Sequence, residues 1–96
     1  MSRPIRYRFR LFVAGVAPNS TQARVNLAAL CRSLLPGRYA IEVVDVLREP
    51  KRALTEGIFL TPTLVKLAPG PIRRIVGTLS HWSTLVNTLD LGVGDP

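Results

Sequence analysis

The side chains that could act as nucleophiles or bases are few in this sequence and stand far apart. Among 96 residues there is one cysteine, Cys31, and one histidine, His81. A single cysteine cannot form an internal disulfide, a Cys-x-x-Cys redox pair or a cysteine-rich metal site. His81 has no Cys, Asp or Glu near it at metal-ligand spacing, and Ser20 has no partner base. We therefore expect no catalytic residue, no metal and no cofactor.

Phosphate-binding glycine patterns are also missing. Gly15 and Gly77 belong neither to GxxxxGK[ST] nor to GxGxxG, whose glycines let the backbone approach a phosphate. Binding, rather than turnover, is the class of function that this negative result favours.

Basic side chains dominate the charge. Thirteen Lys and Arg stand against six Asp and Glu, eleven of the thirteen are arginine, and the formal net charge is +7. Such a surface favours acidic partners, whether nucleic acid, anionic lipid or an acidic protein face. An arginine-rich composition is equally typical of a high-GC genome.

The N-terminal half predicts a strand, a helix and a second strand. Residues 6–14 alternate arginine with apolar residues and then become wholly apolar, which is typical of a strand with one half-solvated and one buried end. The stripe of Arg6, Arg8 and Arg10 could contact nucleic acid, but we favour an amphipathic strand. Residues 39–47 predict the second strand, and the two strands with a crossover helix between them imply a parallel βαβ unit.

The helix between these strands is predicted to run from about residue 19 to residue 35. Asn19 or Ser20 would cap it, and Pro36-Gly37 would end it. Its apolar residues recur at the spacing of one helical face, and Cys31 lies inside that stripe. We therefore interpret Cys31 as a core residue.

The C-terminal half predicts a short helix, a β-hairpin and a last helix. Residues 51–57 give weak helical signals, and strands 63–67 and 72–76 flank a turn that contains Pro69, Gly70 and Pro71. Pro62 precedes the first of these strands. Ser80 would cap a helix whose apolar residues lie on one face, with Gly92 and Gly94 marking its end.

Length and composition indicate one domain spanning residues 1–96, with a core at about residues 5–91. No apolar run is long enough to span a bilayer, so we expect a cytoplasmic protein with no membrane partner. The predicted order of elements is the thioredoxin-like plan, an α/β fold with a mixed sheet and helices on both faces. Where a redox member of that plan carries its cysteines, this chain has Ala17-Pro18-Asn19-Ser20.

Four motifs resemble the KaiB family of circadian clock proteins. They are LFVAG (11–15) with PNS (18–20), YAIEVVDVL (39–47) with Pro50, TPTL (61–64), and PIRRIVGTLS (71–80). The similarity covers roughly residues 7–91, and the motifs occur in the family's order and spacing.

The resemblance implies a non-enzymatic regulator that binds a KaiC-like ATPase, modulates its phosphorylation state, and helps to sequester KaiA. A SasA-like histidine kinase would compete for the same KaiC surface. It also implies a homo-oligomeric ground state, dimer or tetramer, in which the C-terminal half has a second fold. We assign structural or switch roles to Pro62, Pro71, Gly77, Thr88 and Asp90.

The chain departs from the family pattern near its C-terminus. Thr88 stands where the family commonly has glycine, Gly92-Val93 replaces a usual tyrosine, and of the acidic tail only Asp95 is present. Thr88 removes backbone freedom that a rearranging segment could use. These departures fit a KaiB-like paralogue.

Lys66, Arg73 and Arg74 match basic positions of the family's hairpin, and we predict that they contact an acidic partner surface. Alternation along the strand would aim Lys66 away from Val65 and Leu67, which we expect to face the core. The simpler alternative is that these charges only keep a sheet edge soluble. Three other functions stay open at this point, namely a degenerate thioredoxin or glutathione-dependent enzyme, a nucleic-acid binder, and an adaptor for another protein.

Overall fold

Seven elements are arranged around a central strand in this structure, a computed structural model that describes residues 4–91. In chain order they are β1 (Tyr7–Val13), α1 (Pro18–Leu34), β2 (Tyr39–Asp45), α2 (Pro50–Thr55), β3 (Thr63–Ala68), β4 (Arg73–Val76) and α3 (Trp82–Thr88). The sheet order is β2-β1-β3-β4. Strand β1 is parallel to β2 and antiparallel to β3, and β3 is antiparallel to β4. The mixed sheet and the order of elements confirm the thioredoxin-like prediction.

Strand β1 is buried on both of its faces because successive side chains of a strand point to opposite sides. Phe9 and Leu11 enter a core that is completed by α1 and α3. Phe12 enters a second core with Val44 and Ala53, on the side of α2. The arginine-rich start and the apolar end of the strand are thereby explained without a ligand.

Helix α1 packs its predicted stripe against the sheet. Ala23, Leu27, Leu30 and Cys31 are at most 1% exposed, which confirms Cys31 as a core residue. The predicted cap is wrong, because the helix begins at Pro18 and no side chain caps it. Proline suits the first helical position, since the amide that it lacks would have no partner there.

Ser20 does not cap α1 but bonds to the backbone at the end of the preceding strand region. Its hydroxyl is buried and accepts a hydrogen bond from the Ala14 amide at 3.0 Å. Ser80 is likewise no cap, since α3 begins at Trp82 without a side-chain cap and the Ser80 hydroxyl pairs with that of Thr78. Helix α3 ends at Thr88. The proposed end signals Gly92 and Gly94, and the departures at Gly92-Val93 and Asp95, lie outside the described residues.

In the hairpin of β3 and β4, a backbone hydrogen bond joins the end of β4 to the residue before β3. The peptide bonds before Pro62, Pro69 and Pro71 are cis. Gly77 follows β4 with φ of +123°, a conformation that L side chains rarely adopt, and its amide donates to Pro62 O at 3.0 Å. The glycine therefore lets the end of β4 close on the loop before β3.

An ion-pair network ties β1, β2 and α2 together. Glu42 accepts from Arg10 at 2.7 Å and from Arg52 at 2.8 Å, and Arg10 also reaches Glu56 at 2.8 Å. Hydrogen bonds from Arg52 and then Arg10 lower the pKa of Glu42 to about 2. No helix in residues 4–91 combines the length and apolar character that crossing a bilayer requires.

The Glu42 pairs give a pH-dependent contribution to stability. Because the folded-state pKa lies below the ordinary value of 4.5, the stabilisation is present above pH 4.5 and is lost as pH falls toward 2. The carboxylate is nearly half exposed, so we expect Glu42→Gln to lower the free energy of unfolding by about 0.5–1 kcal/mol at pH 7. Urea denaturation from pH 7 to pH 2 should show this difference vanish.

Glu49→Gln is the matched control, because the Glu49 carboxylate is equally exposed but lies farther from Arg52, at 3.6 Å. At pH 7, Glu49→Gln should lower the free energy of unfolding less than Glu42→Gln does. A difference between Glu42→Gln and the parent protein that persisted at pH 2 would contradict the electrostatic explanation.

Candidate partner-binding site

Lys66 does not lie on the surface, which corrects the prediction that it contacts a partner. Its side chain points away from Val65, as alternation predicted, but it is 0% exposed because α3 and the residues that follow it cover that face as well. Its Nζ lies 3.4 Å from the backbone oxygen of Asp90. Burial lowers the pKa of Lys66, and the Asp90 carboxylate partly opposes that shift.

Two buried polar side chains hold the segment after α3. Lys66 reaches Asp90 O, and the Tyr7 hydroxyl donates to Leu91 O at 2.9 Å. These are carbonyls of consecutive residues, reached from the adjacent strands β3 and β1. Asp90 adopts φ of +53°, and Thr88, half-buried, is the last residue of α3. The segment 89–91 is therefore held at its backbone as well as by its leucines.

Arg73 and Arg74 are exposed at the edge of the sheet and face opposite sides of it. Arg73 is paired in register with Lys66 and lies 3.8 Å from the Asp90 carboxylate. Arg74 is paired with Val65 on the side of α2, where its guanidinium donates to the backbone oxygens of Glu56 and Gly57. The three predicted residues therefore do not form one patch, and Arg74 is the one that lies among exposed apolar residues.

The end of the sheet where a redox relative would carry its cysteines is organised by a carboxylate. Asp45 Oδ1 accepts from the amides of Gly15 at 3.1 Å and Leu47 at 2.9 Å. Gly15 has φ of +53°, and a Cβ added there would lie 3.3 Å from Leu47. The two turns that follow β1 and β2 are thus fixed side by side, with no sulfur in either.

Exposed apolar side chains collect at this same end of the sheet. The strand ends are adjacent because Phe12 is paired with Thr63, Thr63 with Val76, and Val13 with Asp45. We call the following residues the sheet-end surface, given with their exposed fractions: Val16 (90%), Leu47 (71%), Phe59 (84%), Leu60 (63%) and Val76 (54%). Phe59, Leu60 and Val76 line one pocket, and a contiguous group of exposed apolar residues is typical of a docking surface.

Sequence patterns alone did not identify the sheet-end surface. Four of its members lie in turns, where apolar residues have no periodicity to show which way they point. The usable signal was the run Ile58-Phe59-Leu60, three large apolar residues in the loop that leads to Thr61-Pro62. Pro62 itself is buried and Pro71 is exposed.

Cys31, which might have done redox chemistry, lies in the core, and His81, which might have bound a metal, lines a cavity beside Val76. Burial raises the pKa of the Cys31 thiol to about 12, so it carries almost no thiolate, the reactive form, at neutral pH. His81 is exposed before α3. Within residues 4–91, no three His, Cys, Asp or Glu side chains come together as a metal site would need.

The arginine stripe of β1 is partly engaged inside the molecule. Arg10 pairs with Glu42 and Glu56, and the Arg6 guanidinium lies 5.5 Å from the centre of the Tyr7 ring. A groove for nucleic acid would need these cations free to meet phosphates. The contacts favour the amphipathic-strand interpretation of the stripe.

Fold and site together define a thioredoxin-like domain without a redox-active thiol. Comparison with solved structures agrees on the fold. The N-terminal domain of Synechococcus elongatus SasA superposes with a TM-score of 0.76 at 20% identity, covering 100% of this chain and 90% of that domain. A chloroplastic thioredoxin z gives a TM-score of 0.76 at 18% identity, covering 93% of this chain and 80% of that protein.

Sequence comparison identifies the family. The KaiB domain model matches residues 10–91. The chain is 42% identical over 85 residues to the circadian clock oscillator protein KaiB of Prochlorococcus marinus, covering 88% of this chain and 73% of that protein. It is 39% identical over 82 residues to the circadian clock protein KaiB3 of Synechocystis sp., covering 85% and 80%. The chain belongs to the KaiB family of circadian clock proteins.

The burial of Lys66 yields a prediction on stability. Lys66→Ala would leave a cavity under the segment after α3, so we expect the free energy of unfolding to fall by about 2–4 kcal/mol. Lys66→Met keeps the length of the side chain and removes a buried charge, so it should stay within about 1 kcal/mol of the parent protein. Urea denaturation at pH 7 measures both values.

The pH dependence provides the control for this prediction. Because the folded-state pKa of Lys66 lies below 10.5, the unfolded chain holds this proton more tightly, and stability gains from Lys66 as pH rises toward 10.5. Lys66→Met should lack that gain. A loss below about 0.5 kcal/mol for Lys66→Ala, as is usual for a surface substitution, would contradict the buried position.

Proposed function

We propose that this protein is a non-enzymatic regulator that binds a KaiC-type ATPase and modulates its phosphorylation state in a circadian, timing or stress system. Membership of the KaiB family supports the regulatory role. The observation that carries the proposal is the sheet end, where Ala17-Pro18-Asn19-Ser20 stands in the place of redox cysteines and large apolar side chains are exposed. Such a surface is suited to docking rather than to turnover.

The proposal extends to the setting in which the protein acts. It works in the cytoplasm, with KaiA or a SasA-like histidine kinase as further members of the system. A homo-oligomer in which the C-terminal half has a second fold stays a prediction from the family resemblance. The contacts at Asp90 and Leu91 are among those that such a rearrangement would have to break.

Arg73 and Arg74 contribute to the proposed interface as exposed cations on β4. Both lie on an edge strand of four residues, where a partner can approach along the edge. Exposed interfacial charges mainly accelerate association and weaken unsuitable contacts. The contribution of Arg73 and Arg74 to binding should therefore fall as ionic strength rises.

The test is a titration of the purified KaiC-type ATPase of the same organism, followed by a time course of its phosphorylation. We expect saturable binding and a changed phosphorylation time course. The Arg73→Ala/Arg74→Ala double variant should bind roughly 3- to 10-fold more weakly at low salt, with a smaller deficit at high salt. Arg32→Ala, which removes one exposed arginine from α1, is the control for the loss of a positive charge away from β4.

Two outcomes would contradict the proposal. One is the absence of binding to the ATPase by the parent protein at micromolar concentrations. The other is binding without any change in the phosphorylation time course. Equal losses in the double variant and in Arg32→Ala would remove the assigned role of β4 and leave the function standing.

A further inference from the structure

A small apolar pocket lies within the sheet-end surface, between the loop before β3 and the end of β4. Its volume is about 170 Å³, and it is lined by Gly57, Ile58, Phe59, Leu60, Thr63, Arg74 and Val76. Apolar cavities of roughly 150 Å³ hold a benzene-sized group. One large aliphatic or aromatic side chain therefore fits.

The polar groups around this pocket are satisfied from inside the molecule. The Thr63 hydroxyl donates to Leu60 O at 2.6 Å, and the Arg74 guanidinium donates to the backbone oxygens of Glu56 and Gly57. A neutral polar group on an occupant would thus gain little by hydrogen-bonding here. It would gain from covering Phe59 and Leu60, whose side chains are mostly in water.

Arg74 differs from three other arginines in the charge of its hydrogen-bond and ion-pair partners. Arg10, Arg52 and Arg73 each have a carboxylate within 4 Å. Within residues 4–91 Arg74 has neutral carbonyl partners and no carboxylate in ion-pair range. Its positive charge is therefore not neutralised, and a carboxylate brought beside the pocket would be attracted to it.

We infer that this pocket receives an apolar side chain from the KaiC-type ATPase and that Arg74 pairs with an acidic residue next to it on the same segment. The inference rests on the proposed function and names the chemistry of the partner. A second copy of this chain suits the site less, because its charge is also +7 and an isologous contact here would bring two Arg74 side chains together.

The experiment measures dissociation constants for the ATPase with four variants. Phe59→Ala should weaken binding roughly tenfold or more, as expected for a central aromatic anchor. Arg74→Ala should weaken it less than Arg74→Glu, which adds repulsion of the partner's acid. Val25→Ala removes an apolar side chain that is 59% exposed on α1 and should leave the dissociation constant within twofold.

Salt separates the two contributions. The loss in Arg74→Glu should shrink as ionic strength rises, whereas that in Phe59→Ala should persist because apolar burial is not screened. Circular dichroism checks that each variant is folded. Phe59 and Arg74 are exposed, so these substitutions leave both cores intact.

The outcomes distinguish the inference from the function on which it rests. If the parent protein does not bind the ATPase, the proposed function fails. If it binds and both Phe59→Ala and Arg74→Glu stay within twofold of the parent, the function stands and the pocket inference is overturned. Sedimentation that changes from dimer to monomer in Phe59→Ala, with unchanged ATPase binding, would assign the pocket to a second copy and likewise overturn it.

Discussion

The structure depends on one constraint, which is that the central strands β1 and β3 are covered on both faces. Phe9 and Leu11 face one core, while Phe12 and Val65 face the other. With both layers of helices in place, side chains in the middle of the sheet have no access to a partner. Of the sheet itself, only its end, where the turns emerge, and its edge strands are open to a partner.

The same constraint explains why Lys66 is structural here. Its strand neighbours Leu64 and Val65 belong to different cores, so any side chain at position 66 must enter one of two covered layers. The long apolar stem of lysine can fill such a place, but its ammonium must find a partner. The partner is a backbone oxygen of the segment that follows α3. A residue that reads as a surface cation in the sequence thereby becomes part of how the C-terminal segment is attached.

Sequence patterns predicted most of the fold because they report local periodicity. The stripe of α1 and the position of Cys31 followed from helical spacing, and the hairpin followed from its turn residues. The same patterns show which side of a strand a residue faces but not whether that side is covered, and hence Lys66 was misplaced. The predicted helix caps were wrong because the Ser20 and Ser80 hydroxyls make other hydrogen bonds. The exposed loop residues Phe59 and Leu60 carry no periodicity at all.

This thioredoxin-like scaffold has large apolar side chains exposed at the sheet end and no sulfur in the turns there. Asp45 fixes the turns after β1 and β2, Gly77 closes the end of β4 on Pro62, and the apolar side chains between them stay exposed. Family membership supplies the regulatory role, and this geometry supplies a place for contact. We therefore propose that the molecule in this fold acts as a docking surface and that the partner performs the chemistry.

Hydrogen–deuterium exchange of the protein alone and in complex with the KaiC-type ATPase tests this claim most directly. We expect binding to slow exchange at the amides of residues 14–17 and 57–60 and at the exposed edge of β4, while the outward face of α1 exchanges as before. Slowed exchange confined to α1, with residues 14–17 and 57–60 unchanged, would contradict it.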